Sequence, residues 1–327
     1  MKSHYRIFGA GEWGSAIAEH LYQNTNKVDV FVRNKSSFLK SFNLHQDINV
    51  LELNDDINQL TCSDNHINLI ACSSSGFLSI VRNYKEYFSK SNFISWITKG
   101  IDHNSGLLFH QILDNEISPS ITKCMISGPS FASDLIDNKE IQVSLASTNI
   151  NESTQFINSI QSDYFKLVVT SDIIGVQISA IIKNICAILA GILSENHSKK
   201  AVIENLMKYG KDEIINISGH IENLDERYKV DSNIRSQTID SPACHGDLAL
   251  TCLNDTSRNR TFGSLLARNN SINDILFKLG TVEGYLCTKT LYMNKNFFKS
   301  GPIVNSAYRI LYENSAPSNE MKFLLDG

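Results

Sequence analysis

Three glycines, Gly9, Gly11 and Gly14, stand between a short apolar run, Tyr5-Arg6-Ile7-Phe8, and an Ala-rich helical pattern through Ala16 and Ala18. Strand, glycine turn and helix in that order make the opening βα unit of a dinucleotide-binding sheet. Gly9 allows the tight turn, Gly11 lets a pyrophosphate approach the backbone, and Gly14 permits close packing of helix on strand. The helix begins at Glu12-Trp13, so its first N–H groups would face the phosphates. An incidental glycine turn is the bland alternative, and the flanking strand and helix argue against it.

The pattern after this unit extends the same architecture. Short apolar runs at 28–32, 68–71, 93–98, 123–127, 142–146 and 165–169 alternate with helical patterns. Several lack polar alternation, as strands covered on both faces by helices do. The order predicts a Rossmann-like, doubly wound α/β sheet with parallel strands. From residue 172 the texture changes to helical patterns without strands, at 173–193, 201–217, 247–252, 272–279 and 284–292. The expected division is a dinucleotide-binding domain over 1–171 and an all-helical substrate or catalytic domain over 172–327. The polar stretch 219–241 reads as a loop or an exposed short helix.

Composition excludes several classes. Of 327 residues, 42% are hydrophobic and 20% charged, which rules out disorder and collagen-like repeats. Lys plus Arg number 30 against 34 Asp plus Glu, so no overall field would draw the chain to nucleic acid or to an anionic membrane. Any anionic ligand must be held by a local cluster. Seven scattered cysteines, with no Cys-x-x-Cys pair and no zinc-like Cys/His spacing, fit a reducing cytoplasm. A strand almost at the first residue leaves no room for a signal peptide. The run 173–193 is membrane-like in length, but Gln177, Lys183 and Asn184 in its middle predict a buried helix instead.

Lys183-Asn184 is the sharpest chemical signal. Lysine is seldom surrounded by apolar residues without a purpose, and desolvation draws its pKa toward the range of proton transfer. A lysine that snorkels to solvent from the helix edge is the alternative. Asp247 and Thr251 lie one helical turn apart and share a face. In Ser257-Arg258-Asn259-Arg260, which follows a loop, guanidinium forks suit a phosphate, and Ser257 and Asn259 add neutral hydrogen bonds. Arg33 ends the second strand, where a carboxylate would select NAD through its ribose hydroxyls; a guanidinium there pairs with a 2′-phosphate, so NADPH is accepted. A solvated Arg33 and use of both cofactors stay open.

Taken in order, Gly-Ala-Gly-x-Trp-Gly-x-Ala at 9–16, Thr-Lys-Gly at 98, Ser-Gly-Pro-Ser-Phe-Ala at 127, Lys-Asn at 183, Gly-Asp-Leu with Thr-Cys at 246–252, Ser-Arg-Asn-Arg-x-Phe-Gly at 257 and Glu-Gly at 283 resemble the bacterial-type NAD(P)-dependent glycerol-3-phosphate dehydrogenases. The resemblance implies reduction of dihydroxyacetone phosphate to sn-glycerol 3-phosphate, a glycerophospholipid precursor. It makes Lys183 the proton donor and acceptor, with Asp247 beside it in the catalytic group. Asn184, Thr251, Ser257, Arg258 and Asn259 fall around the substrate, and Lys99, Gly128 and Ser130 on the substrate side. To the cofactor, NADP or NAD, go Gly9, Gly11, Glu12, Trp13, Gly14, Arg33, Lys99, Ala132, Arg258, Thr281 and Glu283. The family implies a homodimer, no metal and no membrane insertion.

Four positions depart from the family pattern. The usual glycine-rich segment after the catalytic helix is here Ser194-Glu195-Asn196-His197-Ser198-Lys199-Lys200. Cys244 replaces a glycine and His245 a leucine, 219–241 is longer, and Thr281 replaces a valine. The lost glycines motivate a second reading, a non-catalytic nucleotide-binding sensor or scaffold. A dehydrogenase of another small hydroxy acid is a third, since fold does not fix substrate. His245 reads as a packed or surface histidine rather than a relay, and Cys244 and Cys252 as inert buried thiols.

Overall fold

β-branched and aromatic residues in runs of four to seven build one sheet at the start of the chain: β1 (His4–Phe8), β2 (Lys27–Val32), β3 (Asn49–Glu52), β4 (His66–Ile70), β5 (Phe93–Trp96), β6 (Thr122–Ser127), β7 (Ile141–Ser147) and β8 (Phe165–Thr170). The computed structural model describes residues 3–24, 26–53, 66–195 and 200–324. By its own contacts the chain separates into two compact units, Met1–Ile173 and Ile174–Gly327.

The strand order is β3-β2-β1-β4-β5-β6-β7-β8. β1 lies between β2 and β4, with Ile7 opposite Val30 on one side and Leu69 on the other, both pairings parallel. This is where the strand order reverses, and a doubly wound sheet opens its ligand crevice at the carboxyl ends of such strands. Gly9 follows β1 at that end. The expectation of parallel strands holds through β6 and fails at β7, which pairs antiparallel to β6, Met125 opposite Ala146. β8 then runs parallel to β7. β3 is a strand that the apolar pattern misses, because only Val50 of its four residues is buried.

The second unit is helical. Its central element, Ile173–Glu195, is long and apolar enough to cross a membrane, and its most apolar 18-residue window is entirely buried by protein. The helices Arg258–Ala267 and Glu283–Met293 pack on it at backbone range. A Cβ added at Gly191 would meet Ser264 N at 2.8 Å, and one at Gly263 would meet the Ile188 carbonyl carbon at 2.9 Å. Glycine is therefore what lets these helices touch through their backbones. Lys200–Leu224 carries Glu213, a buried carboxylate that accepts hydrogen bonds from Gly301 N (2.8 Å) and Ile303 N (2.7 Å) and so caps the helix Pro302–Tyr312. Burial pushes the Glu213 carboxyl up, and the bonded N–H groups pull it back.

Of the two readings of the polar stretch 219–241, the short helix holds and the loop does not. Lys200–Leu224 continues through its first part, and a separate helix, Ser232–Asp240, begins after Asp231 accepts from Asn233 N and Ile234 N. Its polarity is partly internal, since Glu222 and Arg235 are both buried and ion-paired to each other. In Ser257-Arg258-Asn259-Arg260, Ser257 caps, and Arg258 opens, a ten-residue helix.

Candidate active site

In the first unit the glycine turn has the geometry its residues imply. Gly9 takes φ +87°, and a Cβ there would lie 2.8 Å from Cys72 Cβ. Its N–H donates to Phe31 O at 2.8 Å, which ties the turn to β2. At Gly14 a Cβ would meet Gly9 O at 3.0 Å and Ala71 Cβ at 3.1 Å. Around Gly11, by contrast, an added Cβ would find no atom within 4 Å. The turn is closed on its sheet side and open at Gly11, directly before the helix Glu12–Gln23. That opening fits a pyrophosphate, which needs backbone N–H groups and room.

Five other residues assigned from the sequence gather in this unit. Trp13 Nε1 donates to Ser130 O (3.4 Å), Lys99 Nζ donates to Gly128 O (3.0 Å), and Ser130 Oγ donates to the same carbonyl (3.4 Å). Trp13 and Ala132 pack half-buried against the same apolar core. Gly128 has a structural reason of its own: a Cβ would come within 2.9 Å of Val143 Cα on β7. Glu12 and Arg33 are exposed. Arg33 stays close enough to the Cys72 thiol for its charge to be felt, although burial still pushes that thiol up to about 12.

The second unit assembles a buried ion pair. Lys183, from the middle of the apolar helix, is 8% exposed and Asp247 2%. Lys183 Nζ donates to Asp247 Oδ1 at 2.7 Å and reaches Thr251 Oγ1 at 3.5 Å. Thr251 in turn donates to Asp247 O at 2.5 Å, so the helical spacing of the two residues converges on one ammonium. Burial disfavours that charge and the carboxylate favours it. The nearby Cys252 thiol records both influences: burial pushes it up to about 12, with the Lys183 charge pulling the other way.

Next to this pair runs a directed chain of amides. Gly284 N donates to Asn259 Oδ1 (2.8 Å), Asn259 Nδ2 donates to Asn184 Oδ1 (2.9 Å), and Asn184 Nδ2 donates to Ala180 O (3.1 Å). Each amide oxygen thus accepts one bond, and each NH2 group retains one hydrogen beyond the bond just named. The chain of bonds fixes which way both amides face, and their remaining N–H groups suit an oxyanion. Sequence reasoning quoted Gly284 and Gly263 within motifs but missed their role. Their signal is a glycine inside a helix, where it costs about 1 kcal/mol against alanine and so needs a packing reason.

Matches to family models agree with this arrangement in both units. Residues 5–153 match the model for the NAD-dependent glycerol-3-phosphate dehydrogenase N-terminus, and 172–322 that for its C-terminus. The chain belongs to the NAD-dependent glycerol-3-phosphate dehydrogenase family. It is 30% identical to a glycerol-3-phosphate dehydrogenase [NAD(P)+] of Francisella tularensis subsp. novicida, over 99% of this chain and 98% of the relative. A protein of the same name from Ruthia magnifica is 31% identical with the same coverage. Among solved structures, glycerol-3-phosphate dehydrogenase from Coxiella burnetii superposes with a TM-score of 0.84 and 25% identity, covering 100% of this chain and 99% of that one. The Plasmodium falciparum enzyme, at 18% identity and a TM-score of 0.80, shares the fold.

Within this dehydrogenase family the remaining assigned residues are placed as follows. Arg258 and Thr281 are exposed, and Glu283 and Ser257 are half-buried. Ser257 Oγ accepts from Arg260 N (3.4 Å), so its oxygen serves the helix cap, with its hydroxyl hydrogen left for a ligand. His245 is exposed on the turn before Asp247 and Cys244 is buried. Burial pushes the Cys244 thiol up to about 11 against a hydrogen bond with Ser179. The glycine-free segment 194–200, which begins within the last turn of Ile173–Glu195, lies mostly outside the described residues. Its first two members are anchored: Ser194 Oγ accepts from Arg260 Nη2 (2.8 Å), and Glu195 accepts from Ser264 Oγ (2.7 Å) and Arg268 Nε (2.8 Å).

Proposed function

We infer that this protein reduces dihydroxyacetone phosphate to sn-glycerol 3-phosphate with a reduced nicotinamide cofactor. The observation that carries the reading is the buried Lys183 ammonium held 2.7 Å from Asp247 beside two amides oriented as donors. When bound, the cofactor supplies a hydride to the ketone carbon. Lys183 donates its proton to the ketone oxygen as that oxygen becomes negative, so one group stabilises the developing alkoxide and neutralises it. Asp247 keeps the lysine charged despite burial and fixes its direction. Asn184 and Asn259, joined by Arg258 and the Ser257 hydroxyl, bind the phosphate, with Thr251, Lys99, Gly128 and Ser130 completing the substrate contacts.

The residues of the first unit fit the cofactor. Gly9, Gly11, Glu12, Trp13 and Gly14 would hold the pyrophosphate, Arg33 a 2′-phosphate, and Ala132, Lys99, Arg258, Thr281 and Glu283 the rest of the cofactor. NADPH is therefore the preferred form, and no metal is required because the lysine supplies the positive charge. The dinucleotide domain spans 1–171 and the substrate and catalytic domain 172–327. A cytoplasmic homodimer feeding phospholipid synthesis completes the proposal, supported by the family and by free thiols at each described cysteine.

Purified protein mixed with dihydroxyacetone phosphate and NADPH or NADH is expected to consume the cofactor at 340 nm. Lys183→Ala should lower turnover on the order of a hundredfold or more. Arg258→Ala should raise KM for the phosphorylated ketone more than for dihydroxyacetone, and Arg33→Ser should weaken NADPH but not NADH. Absence of turnover with both cofactors would defeat the reading.

A further inference from the structure

Asp247 does not arrive on an ordinary helix. The five residues before it, Pro242–Gly246, form a π-helical turn, in which Gly246 N donates to Ser241 O (3.3 Å) five residues back. Such a turn carries one residue more than an α-turn, and π-turns recur at functional sites. Each residue of an α-helix rotates the next side chain by about 100°, so losing the extra residue would swing Asp247 away from Lys183. The turn has to be held from outside, and two contacts do so. The Cys244 thiol lies within reach of Ser179, one helical turn before Lys183. On the other side, the helix Ser232–Asp240 runs into the turn through Ser241 and is pinned to Lys200–Leu224 by the buried ion pair of Arg235 with Glu222.

A buried ion pair is weak evidence for stability, because apolar residues of similar volume often serve as well or better. What an Arg–carboxylate contact adds is direction. We propose that Arg235 and Glu222 are positioning residues, whose pairing fixes the π-turn and thereby holds the Asp247 carboxylate on the Lys183 ammonium. The polar segment 219–241 would exist to supply that pair. The inference rests on Lys183 being the proton donor.

The readout is the pH profile of ketone reduction, whose alkaline limb follows loss of the Lys183 proton. Cys252 on Asp247's helix is in electrostatic reach of both Lys183 and Asp247, and Cys244 on the turn is in reach of Asp247; these thiols in turn feel Arg260, Cys186 on the lysine's own helix, and the Lys211–Asp240 pair, and Cys186 feels Glu213. The thiols are all pushed up by burial, so Asp247 is the charge a loosened turn would withdraw from the ammonium.

Glu222→Gln and Arg235→Met are expected to move the alkaline limb of kcat to lower pH by about one unit or more, as loss of a neighbouring opposite charge does. Arg235→Lys, which keeps the charge and gives up the fork, should move it less. If Arg235→Met does not fold, the Arg235→Lys limb decides: a limb at the wild-type position overturns the proposal. Ile239→Ala loosens the same helix while keeping both members of the pair, and should lower Tm with the limb in place; a limb shifted as far would also overturn it. Asp247→Asn separates the two levels of the argument. If it shifts the limb while Arg235 and Glu222 variants do not, positioning is wrong and the lysine reading stands. If Asp247→Asn leaves the limb unmoved, the lysine reading fails and this proposal falls with it.

Discussion

Gly284→Ala tests whether the amide chain sets substrate affinity. An alanine Cβ would lie 2.8 Å from the Asn184 carbonyl carbon and 2.9 Å from Asn259 Oδ1, and closer still to the Asn184 carbonyl oxygen. Two of these atoms are backbone of the helix Ile173–Glu195 and cannot turn aside. Ordinary contact begins near 3.4 Å, so Glu283–Met293 must recede by about 0.6 Å to clear the carbonyl carbon and by about 1 Å to clear the carbonyl oxygen. The Gly284 N–H bond to Asn259 Oδ1, now 2.8 Å, would then stretch by as much, beyond the range of a good N–H···O bond. Overpacking costs roughly 1–3 kcal/mol and the lost bond about 1, offset by about 1 from alanine's better helix propensity. The expected net loss is about 1–3 kcal/mol. Freed from Gly284, the Asn259 amide can flip and present its oxygen to the phosphate, and hydrogen bonds to charged groups are worth about 1.5–3 kcal/mol. KM for dihydroxyacetone phosphate should therefore rise about tenfold or more, while kcat changes little because Lys183 and Asp247 are untouched. Urea unfolding and steady-state kinetics read the two effects. Gly219→Ala is the control, since its Cβ meets nothing within 4 Å on Lys200–Leu224 and should stabilise by up to about 1 kcal/mol. A Gly284→Ala enzyme with wild-type KM would refute the assignment of the amide chain to phosphate recognition.

Two further outcomes follow from the first unit. Gly11→Ala is expected to leave Tm nearly unchanged, because the added methyl meets no protein atom, and to weaken NADPH binding in a fluorescence titration; unaltered affinity would remove the pyrophosphate from this turn. His66 has its pKa lowered from 6.5 to about 4, first by burial and then by the Arg6 and His4 charges. A histidine that protonates more readily unfolded than folded supports stability fully above pH 6.5 and loses that support as pH falls toward 4. His66→Gln should flatten stability against pH in that window in chemical denaturation; a slope identical to wild type would show that His66 does not titrate as its surroundings require.

Much of the fold was legible because its determinants are local. The Gly9 turn needs its φ whatever the rest of the chain does, and β1, β2 and β4 are apolar runs that a covered sheet demands. What escaped depended on distant partners. The direction of β7 is set by its pairing with β6 and leaves no trace in its own apolar pattern. Pro302–Tyr312 is capped by Glu213, some ninety residues earlier, so the usual capping sequence is absent. Segment 219–241 read as a loop or an exposed short helix, and its buried side was hidden because Arg235 and Glu222 satisfy each other across a turn that sequence cannot close.

The site divides along the same line. Lys183 was legible as a charge inside an apolar helix, and Asp247 with Thr251 by helical spacing, because each signal sits within a few residues. The orientation of Asn184 and Asn259 was not, since it is fixed by a backbone N–H from a third helix. The glycines are the bridge between the two kinds of information. At Gly191, Gly263 and Gly284 the space a side chain would need is filled by backbone of another helix, so those positions report packing. At Gly11 the same space is empty and lies at the start of a helix that no side chain caps. Glycine is demanded at both kinds of position, but only an empty one asks for something the chain itself does not provide. The Gly11 and Gly284 substitutions therefore separate cofactor affinity from substrate geometry: one changes binding without stability, the other changes both.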